Sequence, residues 1–137
     1  MRRTARRLRL AALLVAGLAV FSGGACARPF RFPPASAPEP GFVAEGVASW
    51  YGPGYHGRRT SSGEVFDQEA MTGAHVSFAF GTQVRVTLLS TGRSVIVRIN
   101  DRFPAYKGRV IDLSRAAARR IGLIGPGTGF VRMEVVR

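Results

Sequence analysis

The sequence predicts a mainly β chain folded as a small closed barrel, and three observations carry that reading. Alternating or β-branched segments recur between Val43 and Val136, only one segment has the composition of a helix, and no sequence is left over for a second domain. At 137 residues, with 46% hydrophobic and 20% charged side chains, the chain has the composition of one globular unit.

Residues 1–25 read as an export signal. Arg2, Arg3, Arg6, Arg7 and Arg9 stand directly before the apolar run Leu10 to Phe21, the order of a charged leader and its hydrophobic block. As a helix that run spans about 18 Å, against about 30 Å for a bilayer's hydrocarbon core, so a permanent membrane span is the poorer reading. Small residues follow, and Ala25-Cys26-Ala27 admits two processing routes. Cleavage before Cys26 leaves an N-terminal cysteine for lipid attachment, whereas cleavage after Ala27 is ordinary secretion. Either route places the protein beyond the cytoplasmic membrane. Residues 26–42 are expected to be a tether: the stretch from Arg28 to Gly41 holds five prolines, which suit neither a helix interior nor a central strand.

Residues 43–137 hold the domain. Val43 to Tyr51 opens it as a strand. Gln83 to Leu89 sets Val84, Val86 and Leu88 against Arg85 and Thr87, and Ser94 to Asn100 is mostly β-branched. Ser90-Thr91-Gly92-Arg93 between them has turn chemistry, so the two are expected to form a hairpin. Ser114 to Ile121 reads as the helix, with Ser114 as N-cap, Ala116 to Ala118 as strong formers, Arg119 and Arg120 in the last turn, and Gly122 as the stop. Gly125-Pro126-Gly127-Thr128-Gly129 is a turn, and Phe130 to Val136 alternates again as the closing strand.

Twenty Lys and Arg face eight Asp and Glu, a net charge of +12. Without residues 1–25, which hold five arginines and no acid, fifteen basic residues face eight acidic ones, leaving +7. An exported protein seldom meets nucleic acid, so that partner is not expected. One cysteine and two histidines rule out a disulfide framework and a multi-cysteine zinc site, and neither a metal nor a cofactor is expected.

Few side chains are left to carry chemistry. Asp101 follows the apolar strand end Ile99-Asn100, where a carboxyl is half-shielded from water, a setting that general-acid catalysis uses. The structural alternative is an Asx turn or a surface pairing with Arg102. Glu64 lies in a polar loop and His75 in the run Thr72-Gly73-Ala74-His75. Trp50 and Tyr51 at a strand end offer flat apolar faces to a sugar ring, or alternatively cap the core.

Together the runs GVASWYGPGYHGRRTSSGEVFD, MTGAH, FGTQVRVTLLSTGRSVIVRINDRFP and GRVIDLSRAAARRIG resemble the RlpA-like lipoproteins, in this order and at similar spacing. The resemblance implies a six-stranded double-psi β-barrel with one or two short helices, and a cell-envelope lipoprotein acylated at Cys26. It implies an enzyme that cleaves peptide-stripped peptidoglycan glycan strands without water, leaving 1,6-anhydro-muramyl ends. By position it gives Asp101 as the catalytic carboxyl, with Glu64 and His75 lining the same groove and Trp50, Tyr51, Asn100, Arg102 and Phe103 against the substrate. Two departures stand out. Phe103 occupies a place that is usually glycine, and the C-terminal glycan-binding repeat domain of many family members has no counterpart in residues 43–137. Both departures keep open an alternative function, a non-catalytic, expansin-like module that grips peptidoglycan.

Overall fold

The computed structural model describes residues 38–137 apart from Lys107. The export signal, Cys26 and residues 27–37 of the tether lie outside the described residues. Six strands and one helix follow in the order β1 (Val43–Tyr51), β2 (Thr72–Ala74), β3 (Gln83–Leu88), β4 (Ser94–Asp101), β5 (Arg109–Ser114), α1 (Arg115–Ile121) and β6 (Gly129–Val135). Around the closed barrel the neighbours run β1-β5-β2-β4-β3-β6. The pairs β1 with β5 and β2 with β4 are parallel, and the other pairs are antiparallel.

Side-chain alternation decides which face of each strand turns inward. Val84, Val86 and Leu88 of β3, Val95, Val97 and Ile99 of β4, and Val131, Met133 and Val135 of β6 meet in one core. The expected hairpin forms across Thr87↔Ser94, with Gly92 at φ +71° in its turn.

The helix starts after Ser114, which serves as its cap as expected: the Ser114 hydroxyl accepts a hydrogen bond from Ala117 N at 3.2 Å. Gly122 ends it at φ +84°. Seven residues are too few to be stable alone, so α1 depends on burying Ala116, Ala117, Ala118 and Ile121 against the barrel.

Two strands escape periodicity. β2 has three residues, all buried, which is too short to show a period. β5 is buried along almost its whole length, so it carries no alternation.

Candidate active site

Asp101 ends β4 beside a register shift between Gly73 and Ala74 in the β2–β4 pairing. An extra residue in one strand re-aims the side chains next to it. Here the shift brings Ala74 opposite Asp101 at the mouth of a cleft of about 460 Å³. Trp50, Tyr51, Arg102 and Phe103 line the same cleft, as do Tyr55, Tyr106, Arg109 and Asp112.

The two oxygens of Asp101 have different surroundings. Oδ1 accepts from Ser61 N and Ser61 Oγ, each at 2.9 Å, and from Arg102 N at 2.8 Å. Among the described residues, Oδ2 accepts only a long bond from the Tyr51 hydroxyl, at 3.5 Å. The bond from Arg102 N comes from the very next residue, so it is not the Asx turn considered from sequence, which reaches two residues on. Burial first, then the neighbouring Asp101 charge, raises Tyr51 above the ordinary phenol range, so its hydroxyl keeps its proton and donates. One side of the Tyr51 ring is stacked on Phe66, with centroids 4.5 Å apart, which limits its use as a sugar platform. Trp50 packs over Gly52 so closely that a Cβ there would sit 3.0 Å from the indole, which explains the glycine after the aromatic pair.

Glu64 and His75 are not among the cleft-lining residues, unlike the shared groove expected from sequence. Glu64 is exposed, and both of its oxygens are engaged: Oε1 accepts from Arg98 Nη1 at 2.7 Å, and Oε2 accepts from Arg98 Nη2 and Asn100 Nδ2 at 3.0 and 3.1 Å. Those bonds hold its carboxyl below the usual range. Glu64 also closes the loop that carries Ser61, since its carbonyl accepts from Thr60 N at 2.8 Å. Asn100 is buried at 2% exposure and turns its amide to Glu64 rather than into the cleft.

His75 is fully buried and stacks on Phe78. Its Nδ1 accepts from Ser77 N and Phe78 N at 3.1 and 3.0 Å, so that nitrogen carries a lone pair and the ring is neutral. Its backbone N donates to the Asp101 carbonyl at 3.1 Å, and its own carbonyl accepts from Arg102 Nη1 at 3.2 Å. His75 thus fixes the backbone on which Asp101 and Arg102 sit.

Asp112 is the second carboxylate of the cleft, 5% exposed, and it is fully engaged. Oδ1 accepts from Ser49 Oγ and Arg109 Nε, both at 2.6 Å, and Oδ2 accepts from Arg109 Nη2. Among the described residues no group of three or more His, Cys, Asp or Glu side chains is placed to hold a metal ion.

The sequence model of the lytic transglycolase family matches residues 43–135. The chain belongs to that family. Among curated relatives, the probable endolytic peptidoglycan transglycosylase RlpA of Synechocystis sp. is 59% identical over 95 residues, covering 69% of this chain and 30% of that protein. The endolytic peptidoglycan transglycosylase RlpA of Campylobacter jejuni is 50% identical over 96 residues, covering 70% of this chain and 35% of that protein. The chain thus spans about a third of the length of these relatives. Two solved structures share the fold. The Streptomyces papain inhibitor aligns with a TM-score of 0.60 at 22% identity, over 74% of this chain and 100% of that one. The apo expansin of Clavibacter michiganensis aligns at 0.57 and 24% identity, over 70% and 51%.

Sequence reasoning missed Ser61, Arg109 and Asp112. An acid inside the buried run Val110 to Ser114 was the available signal for Asp112, because a carboxylate there requires partners.

Proposed function

We propose that this domain cuts the bond between N-acetylmuramic acid and N-acetylglucosamine in peptidoglycan glycan strands without consuming water. The observation that supports this reading is the asymmetry of Asp101 beside two other carboxylates that are both engaged. Oδ1 is saturated by three donors, which leaves Oδ2, under the Tyr51 hydroxyl, to hold and deliver a proton. The protonated carboxyl donates to the glycosidic oxygen, and the C1–O bond breaks with its electron pair leaving on that oxygen. Positive charge develops at C1 of the muramyl ring. The ring's own C6 hydroxyl then closes on C1 and returns its proton to Oδ2, giving a 1,6-anhydro end. One carboxyl serves both steps. Hydrolysis requires a second carboxylate to activate water or attack the sugar. Asp112 is tied to Arg109 and Ser49, and Glu64 to Arg98 and Asn100, so neither is available for that task.

Around this centre Trp50, Tyr55 and Tyr106 supply apolar faces for sugar rings, and Arg102 supplies a cation. Glu64 and Asn100 act as positioning residues that hold the Ser61 loop against Asp101, and His75 positions the backbone of Asp101 and Arg102. Such a substrate places the protein in the cell envelope, and we assign Cys26 as the acylated residue that anchors it to a membrane.

The test is to incubate the full chain with peptide-stripped glycan strands and to analyse the products by mass spectrometry. Anhydro-muramyl ends are expected, falling by about a hundredfold or more in Asp101→Asn. Reducing ends would show hydrolysis instead, and binding without new ends of either kind would establish the non-catalytic alternative.

A further inference from the structure

The reaction above makes no use of Phe103, the residue that departs from the RlpA-like pattern, or of Arg109. The structure joins them. Arg109 is bound along one edge, Nε and Nη2 donating to Asp112, while Ser49 Oγ holds the same carboxylate from the other side. Its guanidinium carbon lies 5.3 Å from the Phe103 ring centroid and 5.1 Å from that of Tyr106, so aromatic rings support its faces. Phe103 is itself 9% exposed. Arg109 is therefore immobilised before any ligand arrives. Its side chain nevertheless remains 30% exposed in the cleft that Asp101 lines, and Nη1 makes no hydrogen bond to another described residue.

A fixed guanidinium with an unused donor edge suits a planar anion, above all a carboxylate. On a glycan strand of N-acetylhexosamines, the lactyl ether of muramic acid carries the only carboxyl, attached to the same ring whose C1 reacts. In a strand bearing stem peptides that carboxyl is an uncharged amide. We propose that Arg109, held by Asp112 and Ser49 and backed by Phe103 and Tyr106, is the specificity-determining residue that binds the lactyl carboxylate of muramic acid. The assignment rests on the peptidoglycan reading of the substrate but not on catalysis, so the two are tested separately.

Binding is measured with the full chain carrying Asp101→Asn, which removes turnover. Three soluble probes are compared: peptide-free strands with free lactyl carboxylates, the same strands amidated with methylamine, and strands that keep their stem peptides. Amidation is expected to weaken binding about tenfold, as loss of one charge-assisted hydrogen bond implies. Arg109→Gln should bind free and amidated strands alike, within about twofold. Because that variant strands a buried carboxylate, it is also made together with Asp112→Asn, and the melting of both is checked against the parent. The pair should lose discrimination as the single variant does. Equal binding of free and amidated strands by the parent would overturn the assignment. So would discrimination that survives in both Arg109 variants, or peptide-bearing strands that bind as tightly as free ones, which would shift the contact to peptide carboxylates. If the wild-type chain produces no anhydro ends yet the discrimination appears, the transglycosylase reading fails and this one stands.

Discussion

Accepting two backbone N–H groups through Nδ1 leaves the His75 imidazole no room for a second proton unless both bonds break. Burial first, then the charge of Arg102, pushes His75 down to about 3. In the unfolded chain the same ring takes its proton near 6.5. Between those values the unfolded state binds more protons than the native state, so stability is complete above about pH 6.5 and falls as the pH drops toward 3. The slope within that window is about 1.4 kcal/mol per pH unit. Wild type and His75→Gln, compared by denaturant titration, should therefore draw closer in stability by about 2 kcal/mol between pH 7 and pH 5. A constant gap would mean that the imidazole titrates in the native protein, as direct proton transfer by His75 requires. Glu64 in its fork with Arg98 and Asn100 is a fixed anion, and the loop it closes is what delivers Ser61 to Asp101.

Strand β1 packs closely along its length, and one glycine shows how closely. A Cβ at Gly46 would lie 2.4 Å from Val110 Cγ1 on β5 and 3.0 Å from the Gly108 carbonyl. Valine has little rotamer freedom with which to yield, and the carbonyl belongs to the backbone. Gly46→Ala should cost about 1–3 kcal/mol, read as a lower denaturation midpoint with an unchanged slope. An unmoved midpoint would show that β1 and β5 separate easily. The bounds of β1, the β3–β4 hairpin, the capped helix and β6 were all legible in the sequence, because each exposes one face and so alternates or carries its own stop signals. The strands β2 and β5 were legible only through the family resemblance, one being too short for a period and the other buried on both faces. The same division runs through the site. Asp101, Trp50 and Tyr51 announce themselves at strand ends. Ser49 and Asp112 stand 63 residues apart and become partners only when β1 and β5 pair, which no local pattern foretells.

Closure of the barrel leaves β1 between β5 and β6, so none of the six strands presents a free edge. The proposed anchor decides where this barrel can work. Acylation at Cys26 would keep it within about 45 Å of its membrane at the extended polyproline rise of the tether. Fractionation of the native host should then find wild type released only by detergent and Cys26→Ala in the soluble envelope fraction. Both forms in the soluble fraction, with an N-terminus at Arg28, would identify Ala25-Cys26-Ala27 as an ordinary cleavage site. The antiparallel pairing of β1 with β6 has a further consequence. Val43 lies opposite Glu134, so the chain enters and leaves the barrel side by side, at the end of β1 away from Trp50 and Tyr51. Nine strand residues put roughly 26 Å between that point and the cleft. The barrel is therefore a cassette: spliced into a longer polypeptide, it interrupts its host at a single point, at the end of β1 that lies away from the cleft.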